Sequence, residues 1–126
     1  MGIVTRGLPA LLALLVVAAC GDRPVGPDLS APVELRLVSP AGAEGAALVE
    51  IEGAGTAVAI DATEVVSEVI GGRTRVVLIR ENPGELRFRF TPAEGERRGA
   101  ATVIDVAGPD NAIRASIPGY RVEAVQ

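Results

Sequence analysis

The chain predicts an all-β fold, a two-layer antiparallel β-sandwich. Three observations carry this. From Val33 onward apolar residues recur with a period of two, short runs rich in β-branched residues are separated by turn chemistry, and no stretch beyond residue 32 has a convincing helical period.

Val33-Glu34-Leu35-Arg36-Leu37 opens the series with clean alternation, the mark of a strand with one buried and one wet face. Residues 47–52 and 58–62 follow as short strands, and then 64–70 and 74–79, joined by Gly71-Gly72. That pair matches a two-residue hairpin, because glycine takes the required positive φ without a steric penalty. Residues 62–70 also fit one face of a helix, but their valines favour a strand. Asn82-Pro83-Gly84-Glu85 fits a type II turn into Leu86-Arg87-Phe88-Arg89-Phe90, the second cleanly alternating segment, with both phenylalanines directed inward. Strands are expected at 101–106, 112–117 and 120–125. Gly108-Pro109-Asp110-Asn111 forms a type I turn closing into a bulge, and Pro118-Gly119 interrupts the last run.

Ahead of this domain, Met1 to Arg6 carries one positive charge, residues 8–19 are almost unbroken in apolar character, and Val17-Ala18-Ala19 puts small residues before the only cysteine, Cys20. That is the layout of a cleaved export signal. A run of 12 residues spans only about 18 Å as a helix, against roughly 30 Å of hydrocarbon, so it is too short for a stable transmembrane anchor. Val17-Ala18-Ala19-Cys20 resembles the lipobox of bacterial lipoproteins. The resemblance implies cleavage between Ala19 and Cys20, a thioether-linked diacylglycerol on the Cys20 thiol, and a protein held by lipid to a membrane of the cell envelope, on its periplasmic or cell-surface face. The chemistry suits the residue, since a thiolate is the strongest nucleophile among ordinary side chains and two acyl chains anchor far better than one. Residues 20–32, with three prolines and two glycines between Gly21 and Pro32, read as a tether able to extend about 40 Å. The expected organisation is therefore a signal peptide at 1–19, a lipidated cysteine and tether at 20–32, and a sandwich domain at 33–126.

Gly84-Glu85-Leu86-Arg87-Phe88-Arg89-Phe90, with the strand at 101–106 and the Asp110-Asn111 turn, resembles the C-terminal half of cohesin-type domains, which are β-sandwiches of bacterial surface proteins related in shape to carbohydrate-binding modules. The likeness covers about residues 48–125. The early aromatic and Asp-Pro landmarks of that family are missing, so dockerin recognition transfers to no residue here.

Composition removes several function classes. The 12 basic residues are all arginine, set against 16 Asp and Glu for a net charge of −4, and loss of Arg6 with the leader makes the mature chain one unit more negative. Nucleic-acid binding is disfavoured, because it needs clustered cations and aromatic platforms, and the aromatics are Phe88, Phe90 and Tyr120 alone. Without histidine or lysine there is no imidazole base and no Schiff base, the sole thiol is assigned to lipid, and Ser30, Ser39, Ser67 and Ser116 have no evident activator. We therefore expect a non-enzyme with no cofactor. Asp105, Asp110 and Asn111 form the one calcium candidate of note, with Asp61 and Glu64 near a second turn, although turn geometry is the better explanation of Asp110 and Asn111. Arg73, Arg75, Arg87 and Arg89 facing Glu50 and Glu52 read as cross-strand pairs on wet faces. The expected role is that of an envelope module that binds a protein or is structural. A carbohydrate-binding module is the alternative, with Tyr120 as the one ring left for stacking.

Overall fold

The computed structural model describes residues 27–125, which form eight strands and no helix. The expected signal peptide, its cleavage site at Ala19 and Cys20, and most of the expected tether lie outside the described residues. Strands β1 (Val33–Val38), β3 (Gly55–Ala59), β6 (Arg87–Pro92) and β8 (Arg121–Ala124) form one antiparallel sheet in the order β3-β6-β1-β8. Strands β2 (Glu44–Glu52), β4 (Glu64–Ile70), β5 (Arg73–Gly84) and β7 (Ala101–Ala107) form the second, in the order β4-β5-β2-β7. The two sheets pack as a β-sandwich that does not close into a barrel.

Alternation decides which face each strand buries. Leu35, Leu37, Phe88 and Phe90 point inward from the first sheet; Ala47, Val49, Ile51, Val76, Leu78, Val103 and Val106 meet them from the second. Both phenylalanines are fully buried, as their alternation with arginine requires. The ring of Phe90 lies where a side chain on residue 55 would have to sit: a Cβ built on Gly55 would stand 2.4 Å from its Cζ. The β4–β5 hairpin turns through Gly71 and Gly72 at φ 58° and 77°, with Ile70 paired to Arg73, which settles residues 64–70 as strand.

Three local expectations are corrected. Residues 112–117 form no strand; Ile113 makes a single bridge to Ala107, and the segment is a crossover carrying the chain from the second sheet to the first. Asn82-Pro83-Gly84-Glu85 is not a type II turn. Gly84 is not among the positive-φ residues, and β5 runs on to pair Gly84 with Glu44, while the Arg80 guanidinium donates to the carbonyls of Asn82 (3.0 Å) and Glu85 (3.2 Å). The third strand lies at Gly55–Ala59 rather than 58–62, because the chain turns at Asp61, whose φ is 53°. The turn at 108–111 is as expected, with Asn111 N–H donating to the Gly108 carbonyl (3.0 Å) and φ 63° at Asn111.

Candidate functional site

The two sheets present different outer faces to solvent. On the β3-β6-β1-β8 sheet the outward residues are mostly charged and paired. Arg87 reaches Glu34 (3.4 Å), Glu85 (3.4 Å) and Asp61, and Arg36 reaches Glu123 (2.5 Å) and Glu85 (3.7 Å). Arginine suits this role because its planar fork serves several carboxylates at once. Such exposed pairs contribute little to stability, about 0–1 kcal/mol each, and leave a wet face of balanced charge.

The outer face of the β4-β5-β2-β7 sheet is divided along the strands. In one half, Val66 of β4 lies beside Val77 of β5, which lies beside Leu48 of β2; Ile79 is paired with Ala46, and Ala46 with Ala107. Ile113, reached through its bridge to Ala107, extends this surface past β7. Val66 is 67% exposed, Ile113 68% and Ile79 43%. A shallow groove of about 250 Å³ runs between Leu48, Val77, Asp105 and Ile113. In the other half the same strands carry Glu68, Arg75 and Glu50 side by side, followed by Arg73 beside Glu52. Arg73 and Arg75 both bind the Glu50 carboxylate, at 2.8 and 3.3 Å, and this holds the Glu50 carboxyl below the usual carboxylate range. The apolar half is bordered by Glu64, beside Ile79, at one edge and by Asp105, beside Leu48, at the other.

A second cluster lies at the end of the sandwich holding the β1–β2 loop, and sequence reasoning missed its centre, Glu44. The register of β2 on β5 shifts between Glu44 and Ala46, so Glu44 turns inward and is 1% exposed. Its carboxylate accepts from Arg114 Nη2 (2.7 Å) and Nε (3.2 Å), from the Tyr120 hydroxyl (2.5 Å) and from Ser39 Oγ (2.8 Å). Burial pushes the Glu44 pKa up, but the bonds from Tyr120, Arg114 and Ser39 outweigh it and hold the carboxyl below its ordinary value. Burial and the bond to Glu44 raise the Tyr120 hydroxyl. A fully bonded carboxylate has no free lone pair to offer a substrate, so the cluster acts as a clamp that pins the 108–120 crossover to β2. Beside it a cleft of about 390 Å³ opens between Arg36, Ser39, Gly42, Gly84 and Glu85.

The calcium candidates Asp105 and Asp110 sit in different local settings. Asp105 lies on the exposed side of β7 in register with Leu48, whereas Asp110 turns its Oδ1 to the Ala112 N–H (3.1 Å), an Asx turn. Among the described residues no group of three or more His, Cys, Asp or Glu side chains is placed to hold a metal. Asp61 is paired with Arg87, and Glu64 begins β4. Tyr120, expected as the free ring, is half-buried against the core with its hydroxyl bound to Glu44. Neither a protein-family model, nor a curated protein, nor a solved structure matches this chain.

Proposed function

We propose that this is an exported, lipid-anchored β-sandwich of the cell envelope that works as a binding module, contacting a protein partner through the apolar half of its β4-β5-β2-β7 face. The observation that carries the binding role is the exposed surface of Val66, Val77, Ile79 and Ile113 on a domain whose other face is mostly charged and paired. The lipid anchor is supported by the run at 8–19 and by Val17-Ala18-Ala19-Cys20, which resembles a lipobox. Chain entry is consistent with it: the Leu29 carbonyl accepts from the Arg98 N–H (2.9 Å), so the tether would join at the end of the sandwich opposite the Glu44 clamp. The engaged Tyr120 weighs against a glycan-stacking role, and the absence of imidazole and amine side chains weighs against catalysis.

Photo-crosslinking in intact cells tests the reading. A benzophenone side chain at Val66 is expected to give a defined protein adduct and one at Arg89, on the opposite face, none; Cys20→Ser is expected to release the protein from membranes. Equal labelling from both positions, or an unmodified thiol at Cys20 in the native protein, would refute the corresponding half of the proposal.

A further inference from the structure

We infer that the partner seated on the β4-β5-β2-β7 face is a second copy of this chain, related by a two-fold axis parallel to the strands and lying between β5 and β2. This rests on the reading of that face as a contact surface and adds the identity of its occupant.

The argument is one of register and charge. Two sheets packed face to face align their strands within about 30° and stand about 10 Å apart. A two-fold axis across the strands, centred on the face between these rows, would set the Glu68, Arg75, Glu50 row of one copy on the Val66, Val77, Leu48 row of the other, burying charge on hydrocarbon. An axis along the strands keeps each row over the same row of the partner, and like-charge repulsion then selects its position. Centred on β5, it sets Arg75 on its own symmetry mate; centred on β2, it does the same to Glu50. Centred between β4 and β5, it leaves β2 and β7 uncovered. Centred between β5 and β2, it places Arg75 over the partner's Glu50 and Arg73 over the partner's Glu52. Each pairing is repeated by symmetry, as an isologous contact demands. The same operation lays Val77 over the partner's Leu48 and Ile79 over the partner's Ala46, and at the solvent-accessible edges it sets Val66 opposite the partner's Asp105 and Glu64 opposite the partner's Ala107. Arg73 and Arg75 keep 60% and 53% of their side chains exposed while bound to Glu50, so both have donors free for a second carboxylate.

Four strands at about 4.8 Å spacing and about six residues of length give a footprint near 400 Å² per copy, about 800 Å² in total, which is below the size of a stable specific interface. The pairing is therefore weak and reversible.

The test uses the full chain in non-ionic detergent, labelled at the C-terminus with a donor or an acceptor fluorophore and titrated from about 1 to about 500 µM, the range of transient contacts. Energy transfer is expected to rise with concentration in the wild type. Two charge-uniform variants, Glu50→Arg with Glu52→Arg, and Arg73→Glu with Arg75→Glu, are each expected to self-associate about tenfold or more weakly, with unchanged circular dichroism, because like charges then face each other. An equimolar mixture of the two variants is expected to regain wild-type transfer, since every arginine again meets a glutamate. A third variant, Val77→Lys, tests the apolar half and is expected to weaken pairing in the wild-type background. Absence of transfer throughout the wild-type titration would overturn the inference, as would variants that pair like the wild type through indiscriminate apolar adhesion, or a mixture that pairs no better than its components. A Val66 crosslink to a different protein or to lipid, without a dimer-sized adduct, would overturn the self-pairing; the adduct to a different protein would leave the binding role standing.

Discussion

Replacing Glu44 with glutamine keeps the shape of the side chain and removes its charge. At neutral pH two hydroxyl donors, Tyr120 and Ser39, then lose their anionic acceptor, and Arg114 loses its counter-ion. Hydrogen bonds to a charged group contribute about 1.5–3 kcal/mol each, roughly twice neutral ones. Glutamine's amide also offers a donor where an acceptor is needed. Arg114 keeps a third of its side chain in water and can turn outward, which limits the loss. The expected destabilisation is about 2–3 kcal/mol, a large part of the 5–15 kcal/mol typical of a domain. The pH dependence has a definite sign. The Glu44 pKa is lower folded than unfolded, so its contribution is fully present above the ordinary carboxyl value and is lost as pH falls through the lowered one. Below that point wild-type Glu44 is protonated in both states and resembles glutamine. Urea unfolding followed by circular dichroism, on wild type and Glu44→Gln at pH 7 and near pH 3, should therefore show the full penalty at the higher pH and a much smaller one in acid. A penalty below about 0.5 kcal/mol at pH 7, or one that does not shrink in acid, would refute the clamp.

Two further expectations follow from packing and turn geometry. Gly55→Ala would drive a methyl into the Phe90 ring and the Thr91 carbonyl, which stands 2.6 Å from the same Cβ position; overpacking of this kind costs about 1–3 kcal/mol and should lower the melting temperature by several degrees in a thermal scan. Substituting Asp110 and Asn111 together by alanine removes an Asx bond and a left-handed residue, a loss of about 1 kcal/mol, and the melting temperatures of wild type and variant should each be the same in calcium as in chelator; a calcium-induced rise in the wild type that the variant loses would restore the metal reading.

The sandwich was legible because its strongest signals are local. Alternation in Val33-Glu34-Leu35-Arg36-Leu37 and around Phe88 and Phe90 reflects a one-sided buried face, and Gly71-Gly72 needs nothing beyond its own backbone to define a hairpin. What escaped depends on distant partners. The β-branched content of 112–117 suggests a strand, but the segment must cross between sheets and finds one bridging residue to pair with. Asn82-Pro83-Gly84 has turn chemistry, yet pairing of Gly84 with Glu44 and the hold of Arg80 carry the strand through it. The burial of Glu44 follows from a bulge at a small-residue stretch, Ala43-Glu44-Gly45-Ala46, which reads in isolation as a loop. The apolar outer half of the second sheet could be anticipated only by aligning β4, β5 and β2 in their true register, where Val66, Val77 and Leu48 fall side by side.

Strand β1 is flanked by β6 on one side and by β8 on the other, so the earliest strand of the domain completes its hydrogen bonding only when the latest arrives. A chain that emerges N-terminus first during synthesis would leave β1 with at least one open side until residues 121–124 had emerged. Loss of those few residues would uncover the backbone of β1 along Leu35 to Val38 and offer it to any passing extended segment. The final strand thus works as a latch, and damage to it should register as aggregation before it registers as loss of melting cooperativity.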